Sequence, residues 1–260
     1  MCGRFTRSSP PAALAEEIGV PIDPALVARP RFNVCPSEDV LVVARATSGP
    51  VDLGDVARAD PARAAGDGAL ALAAGVMRWG LVPWFARDPK AGPRAINARA
   101  ETLATSRTFR DAFARRRCLI VADGFYEWRK IGTDRQPYFI RLRSRRPFAF
   151  AGLWDRWKAP SGDSLLSCAI VTCAPNGLVA PIHDRMPVIV PAADRMRWLG
   201  AEASLGELAT LLRPYPADEM EVYPVARLVN APRNDEPECI RRVELETGAT
   251  SVDTSPDGDA

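Results

Sequence analysis

The 260-residue chain has one histidine, three lysines and no Cys-x-x-Cys pair. It also has no run of about 18 consecutive apolar residues, the least that a membrane-spanning helix needs. Each scarcity excludes something. With His183 as the sole imidazole, any site built on two histidines is ruled out. Six cysteines (Cys2, Cys35, Cys118, Cys168, Cys173 and Cys239) are too few and too scattered for a disulfide scaffold or a zinc centre. The opening Met1-Cys2-Gly3-Arg4-Phe5-Thr6-Arg7 lacks the apolar stretch of a secretory signal, so the expectation is a cytoplasmic protein.

What is present is ordinary globular material: 47% hydrophobic and 25% charged residues. The net charge of +2 hides an uneven distribution. Residues 1–233 carry 32 bases against 24 acids, whereas the remainder carries two against eight. The bases are almost all arginine, which forks onto phosphate and stacks on planar rings. A basic body with an acidic end suits a nucleic-acid partner, although a GC-rich genome also enriches arginine.

The pattern along the chain predicts an α+β fold. A short helix over Pro10–Ile18 has Ser9 as its cap and Gly19 just beyond it. Arg31–Pro36 reads as a loop leading into a strand over Val40–Ala44. Residues 47–75, rich in Ala, Gly, Asp and Pro, read as a variable insertion, with extended structure resuming over Gly75–Leu81. Phe109–Arg117 has helical spacing, Cys118–Ala122 is a central strand, and Asp123-Gly124 marks a turn. Gln136–Arg143, Phe148–Trp157 and Leu165–Cys173 are β-rich, and Pro187–Val190 is a further apolar segment. Asp194–Leu199 and Leu205–Leu212 are helical, the second capped by Ser204, and Glu221–Val229 is a last strand. The domain runs over 2–243, with 244–260 an acidic disordered tail.

Four stretches carry chemistry. If Met1 is removed, Cys2 presents an amine and a thiol on adjacent carbons, which no internal cysteine can do. An α-amine titrates near 7.7–8.0, so a useful fraction is nucleophilic at about neutral pH. Such an aminothiol condenses with an aldehyde to a Schiff base and closes a thiazolidine ring. Asn97, in Ile96-Asn97-Ala98-Arg99, can orient an amine without charging it, or simply cap a turn. Glu127 lies between aromatics in Gly124-Phe125-Tyr126-Glu127-Trp128, a setting that raises a carboxyl toward neutral titration. His183, in Pro181-Ile182-His183-Asp184-Arg185-Met186-Pro187, suits proton transfer, or is a structural histidine satisfied by Asp184. Trp79 and Trp84 offer rings for unstacked bases, or fill the core.

Six motifs occur in order: Met1-Cys2-Gly3-Arg4-Phe5, Arg31-Phe32-Asn33-Val34-Cys35-Pro36, Trp79-Gly80-Leu81-Val82-Pro83-Trp84, Ile96 to Thr102, Asp123 to Trp128, and Ile182 to Pro187. Together, from Cys2 to about Ile240, they resemble the SOS-response-associated peptidase (SRAP) family of abasic-site processing proteins. The resemblance implies a single SRAP-like domain: curled, mostly antiparallel β-sheets around one core, with a few peripheral helices. It implies a monomer that binds single-stranded DNA containing abasic sites at damaged nucleoid DNA. It implies no metal or organic cofactor and no membrane partner. It implies that Cys2, freed by autoproteolytic loss of Met1, cross-links to the ring-opened aldehyde by lyase-type Schiff-base chemistry. Asn97 would position the amine, Glu127 would move protons, and His183 would assist sugar opening. Arg4, Asn33, Trp79, Trp84, Arg99 and Arg185 would contact DNA. Cys35 stands where a small apolar residue is expected, and the 47–75 insertion is longer than expected.

Two other classes remain open on the residues alone. An N-terminal-nucleophile cysteine amidohydrolase also opens with Met-Cys-Gly, but leaves Glu127, His183 and the aromatic motifs unexplained. A non-catalytic single-strand-binding module would account for the charge without the thiol.

Overall fold

Unbroken apolar runs in the middle of the chain become strands buried on both faces, and these set the architecture. The computed structural model describes residues 2–46, 71–88 and 95–245. In chain order the strands are β1 (Phe5–Arg7), β2 (Arg31–Val34), β3 (Asp39–Arg45), β4 (Leu72–Trp79), β5 (Asn97–Arg99), β6 (Arg117–Ala122), β7 (Gly124–Ile131), β8 (Asp134–Leu142), β9 (Phe148–Lys158), β10 (Ser164–Cys173), β11 (Met186–Pro187) and β12 (Met220–Pro224). The helices are α1 (Pro11–Ile18), α2 (Arg110–Arg115), α3 (Arg195–Leu199) and α4 (Leu205–Thr210).

One sheet runs β11-β10-β4-β3-β6-β9, and β9 pairs back onto β10, so five of its strands close a barrel. Closure removes the free edges that an open sheet would expose. The second sheet runs β12-β8-β7-β1-β2 and is wholly antiparallel. Among the described residues, only the pairings of β10 with β4 and with β5 are parallel. The expected curled, mostly antiparallel α+β fold with few helices is therefore the fold observed.

The two sheets meet through aromatic side chains. Phe150 of β9 packs edge-on against Phe5 of β1 at 5.8 Å, Phe125 of β7 at 6.0 Å and Phe148 at 5.2 Å. Phe5 also meets Trp79 of β4 at 5.2 Å. These edge-to-face pairs seat the N-terminal strand on the barrel and add specific geometry to plain burial. Cys2, just upstream, is a fully buried member of the same core. Gly124 is required where β6 passes into β7, since a Cβ there would lie 2.1 Å from the ring of Phe139.

Several local expectations need correction. Ser9 does not cap α1: the cap position is Pro10, with no side-chain bond, and the Ser9 hydroxyl donates to Asp123 instead. Gly19 does close α1, in the left-handed region at φ 76°. Arg31–Val34 is a strand rather than a loop. As the outer strand of its sheet it is held by Asp235, whose Oδ1 accepts from the N–H of Phe32 (2.6 Å) and of Asn33 (2.8 Å). Asp123-Gly124 is a bend joining two strands, not a hairpin turn. The last strand stops at Pro224, and Arg227–Asn230 is a short 3-10 turn. Strand β4 begins at Leu72, so the insertion ends earlier than 75; its residues 47–70 lie outside the described residues. So does the tail from residue 246. Ser204 caps α4 as expected, in a full capping box with Glu207.

Candidate active site

Cys2, Asn97, Glu127 and His183 come from four distant parts of the chain and converge. Asn97 opens β5, which β10 holds in register by pairing Asn97 with Ile170. From there its Nδ2 donates to the Cys2 carbonyl at 2.9 Å. The Cys2 thiol donates to the Arg4 carbonyl at 3.9 Å. That carbonyl also accepts from the Tyr126 N–H at 3.0 Å, which ties Cys2 to the strand carrying Glu127. His183 sits in a loop nucleated by Asn176, whose Oδ1 accepts from the N–H of Leu178 and Val179. The loop brings His183 Nε2 to 3.9 Å from Glu127 Oε2.

The electrostatics follow from burial. The Glu127 side chain is 2% exposed. Burial pushes its carboxyl up to about 7, against an opposing pull from the charge of the chain's amino terminus. Burial and the neighbouring Glu127 hold the Cys2 thiol well above its ordinary range, so it is kept as a thiol. Burial, helped by the amino-terminal charge, lowers His183, with Asp184 working against it. His183 Nδ1 lies 3.0 Å from the Arg185 N–H and 2.9 Å from Asp184 Oδ1. It cannot accept from one and donate to the other in the neutral ring. A backbone N–H can only donate, and Asp184 is 87% exposed to competing water. The neutral tautomer therefore places its proton on Nε2, facing Glu127.

The expected DNA contacts divide. Trp84 is 59% exposed, and its ring meets Phe85 edge-on at 5.7 Å. The Arg107 guanidinium lies over the Phe85 ring at 4.8 Å. Arg99 is exposed at the end of β5. Asn33 and Trp79, by contrast, are both completely buried and present no surface to a base. Asn33 Nδ2 donates to the carbonyls of Val229, Ala231 and Asn234, and Trp79 Nε1 donates to that of Ile96. Arg4 donates to Asn33 Oδ1 (2.9 Å) and the Val229 carbonyl (2.8 Å), bracing the N-terminus against the C-terminal segment. Arg185 forks onto Glu101 at 2.7 and 2.9 Å and bonds the Thr172 carbonyl at 2.6 Å. That pairing lowers Glu101 and raises Arg185.

Two residues, Thr172 and Asp123, were not anticipated as site groups. Asn97 Oδ1 and Thr172 Oγ1 are buried with no hydrogen-bond partner, and Thr172 lies beside Arg99 in the β10–β5 register. A threonine in an apolar β run reads only as a strand former, so nothing in the sequence marks it. Asp123 collects five side-chain bonds from the N-terminal segment. Among the described residues, no three His, Cys, Asp or Glu side chains are placed to hold a metal, and all six cysteines are free.

The barrel thus carries a buried cysteine at position 2 beside an asparagine, a buried glutamate and a histidine. The chain belongs to the SOS response associated peptidase (SRAP) family, whose profile matches residues 1–232. It is 39% identical over 243 residues to the abasic site processing protein YoqW of Bacillus subtilis, covering 92% of this chain and 99% of that protein. It is 35% identical over 194 residues to the abasic site processing protein HMCES of Gallus gallus, covering 65% of this chain and 57% of that protein. A crystal structure of a protein from Bacteroides thetaiotaomicron shares the fold at a TM-score of 0.77 and 23% identity, over 94% of this chain and 100% of that one. No helix among the described residues is long and apolar enough to cross a membrane.

Proposed function

We propose that this chain acts on abasic sites in DNA, and that it does so by a covalent cross-link through Cys2. Hydrolysis of the Met1–Cys2 peptide bond, the reaction behind the peptidase name of the family, exposes the amine. A water carries the C1′ hydroxyl proton to the ring oxygen while His183 Nε2–H steadies that oxygen with a hydrogen bond, so that the closed deoxyribose opens to the C1′ aldehyde and a C4′ hydroxyl. The Cys2 amine adds to that carbonyl. Glu127, protonated near neutral pH, delivers the proton with which the hydroxyl departs as water, leaving the imine. The Cys2 sulfur then bonds to C1′ while its proton passes to the imine nitrogen. The resulting thiazolidine consumes the intermediate from which strand cleavage by β-elimination would proceed. Asn97 holds the Cys2 carbonyl by its Nδ2 and keeps Oδ1 for the amine.

Single-stranded DNA is the substrate form. An abasic sugar in an unpaired strand reaches a buried thiol without duplex distortion, and Trp84 offers an exposed ring to its bases, with the half-buried Phe85 beside it. Arg99 and Arg107 supply cations for its phosphates.

One observation carries this reading: Asn97 grips Cys2 next to a buried carboxyl that titrates near 7. The test is a denaturing gel of the processed protein with a single-stranded oligonucleotide bearing one abasic site. Wild type gives a shifted band, and Cys2→Ala gives none while keeping most of its non-covalent binding. A Cys2→Ala protein that cross-links like wild type removes Cys2 as the nucleophile. Ammonia release from glutamine with an unshifted band selects the amidohydrolase. Salt-sensitive binding with no shifted band in wild type selects the non-catalytic module.

A further inference from the structure

The reaction just described depends on where one terminal residue comes to rest, yet the strand that delivers it is weakly specified. Strand β1 is three residues long. It pairs with β2 through Phe5–Val34 and Arg7–Arg31 with an irregularity between the two, and with β7 through Phe5–Phe125 and Thr6–Gly124 only. A slip of one residue moves a strand by about 3.3 Å and sends every side chain to the opposite face. Here a slip would carry Cys2 away from Asn97 and turn Phe5 out of its aromatic pocket.

Asp123 is bonded to this segment. It is 8% exposed and lies at the bend between β6 and β7, two strands long enough to have a fixed register of their own. Its backbone N–H donates to the Thr6 carbonyl at 3.0 Å. Its Oδ1 accepts from the Thr6 hydroxyl. Its Oδ2 accepts from the Ser8 N–H (2.6 Å) and hydroxyl (3.1 Å), and from the Ser9 N–H (2.7 Å) and hydroxyl (2.9 Å). Six bonds thus converge from three residues of the N-terminal segment onto one rigid point. A slipped strand would present different donors, and a buried carboxylate left without its partners is costly. The clamp is seven residues from Cys2 at its far end and four at its near end, and Glu127 lies four residues beyond Asp123 on β7.

We propose that Asp123 is a positioning residue for the Cys2 aminothiol: by holding Thr6, Ser8 and Ser9, its carboxylate sets the register of β1 and so the place of the nucleophile relative to Glu127 and Asn97. This rests on the cross-linking reading above. Asp123 touches no reacting atom. Its contribution is to the fraction of molecules in which Cys2 is aligned, so it acts on the rate at saturating DNA and not on DNA affinity.

The test is the single-turnover cross-linking rate of the processed protein as a function of abasic oligonucleotide concentration, with the melting temperature recorded for each variant. Asp123→Ala, folded at the assay temperature, should lose about 100-fold in the saturating rate, the size of loss that a displacement of about 1 Å carries. Its half-saturating DNA concentration should stay within about twofold. Asp123→Asn should recover much of the rate, because its carbonyl oxygen can face the Ser8 and Ser9 amides while its NH2 faces the Thr6 hydroxyl. A folded Asp123→Ala protein that cross-links at the wild-type saturating rate overturns the proposal. So does a loss that appears only in the half-saturating concentration. If Asp123→Ala does not fold, Thr6→Val and Ser9→Ala each remove one partner while keeping the carboxylate. A fall in saturating rate in both supports the clamp, and wild-type rates in both overturn it. Failure of wild type itself to cross-link is the separate result that removes the cross-linking reading.

Discussion

Strand β10 supports two regions built in opposite ways. Along one part it pairs with β5 and holds Asn97 against Cys2. Along another its Ser167 hydroxyl accepts from the Val82 N–H and steadies the loop that carries Trp84 and Phe85. The first region is closed: Cys2 and Glu127 are buried, and Asn97 Oδ1 and Thr172 Oγ1 are buried without partners. The second is open: Trp84 is among the most exposed large hydrophobic side chains of the protein. The carboxylates show the same split. Glu127 is buried and raised to about 7, whereas Glu101 is half exposed and lowered by its fork with Arg185. Unpartnered buried polar atoms and a neutral-titrating carboxyl cost stability, and such features cluster at functional sites. Open rings cost little and are found where a strand can lie. Changes in the closed region should therefore alter rate, and changes in the open one should alter affinity.

The largest break in that contrast comes from Glu127→Gln. It should lower the saturating cross-linking rate by about 10²–10⁴-fold, the range of a lost general acid, with DNA affinity within about twofold. In wild type the rate should fall as pH rises through about 7, because the donor form of Glu127 is lost. Stability runs with a definite sign. A carboxyl raised in the folded state binds its proton more tightly there than in the unfolded chain. Its contribution is complete below the unfolded value and is lost as pH climbs through about 7. Above that, the buried charge costs up to about 3 kcal/mol. Glu127→Gln should therefore melt higher than wild type at about pH 8 and not at about pH 5. Equal melting curves at both would show that the carboxyl is not held neutral by burial.

Asn33→Ala comes next and sharpens the line between bracing and binding. It should cost about 2–3 kcal/mol of folding stability by orphaning the carbonyls of Ala231 and Asn234 and a donor of Arg4. At a temperature where the variant is folded, its DNA affinity should match wild type. A tighter link to affinity than to melting temperature would put Asn33 back among the DNA contacts.

The smallest effect belongs to Trp84→Ala. The loss of one base–aromatic stack, about 1–3 kcal/mol, should weaken non-covalent binding of single-stranded DNA roughly tenfold. The saturating cross-linking rate and the melting temperature should not move, since the ring is already in solvent. Unchanged affinity would show that the exposed ring is not a stacking platform.

What could be read ahead of the structure followed physical locality. The central strand over Cys118–Ala122 announced itself by an unbroken apolar run, and it lies buried in the barrel. Ser204 announced a capped helix by its place just before Leu205. Asn33 and Trp79 are polar-tipped residues that can face water or the core, and nothing local in the sequence decides which. Asn33 is buried by carbonyls about 200 residues away, and Trp79, at the end of β4, meets Phe5 and the Ile96 carbonyl. Asp123 was masked by its neighbour: Asp-Gly is a turn signal, but here glycine is required by the ring of Phe139 and the carboxylate is turned back on the N-terminus. The convergence of Asn97, Glu127 and His183 on Cys2 has no local signature and was legible only through the ordered motifs.

The most direct test is peptide mapping by mass spectrometry of the denatured complex between processed protein and an abasic single-stranded oligonucleotide. The sugar remnant should sit on the peptide that begins at Cys2, with Met1 absent and neither the Cys2 amine nor its thiol free. A remnant on any other side chain, or a covalent complex in which Met1 is still attached, would contradict the account.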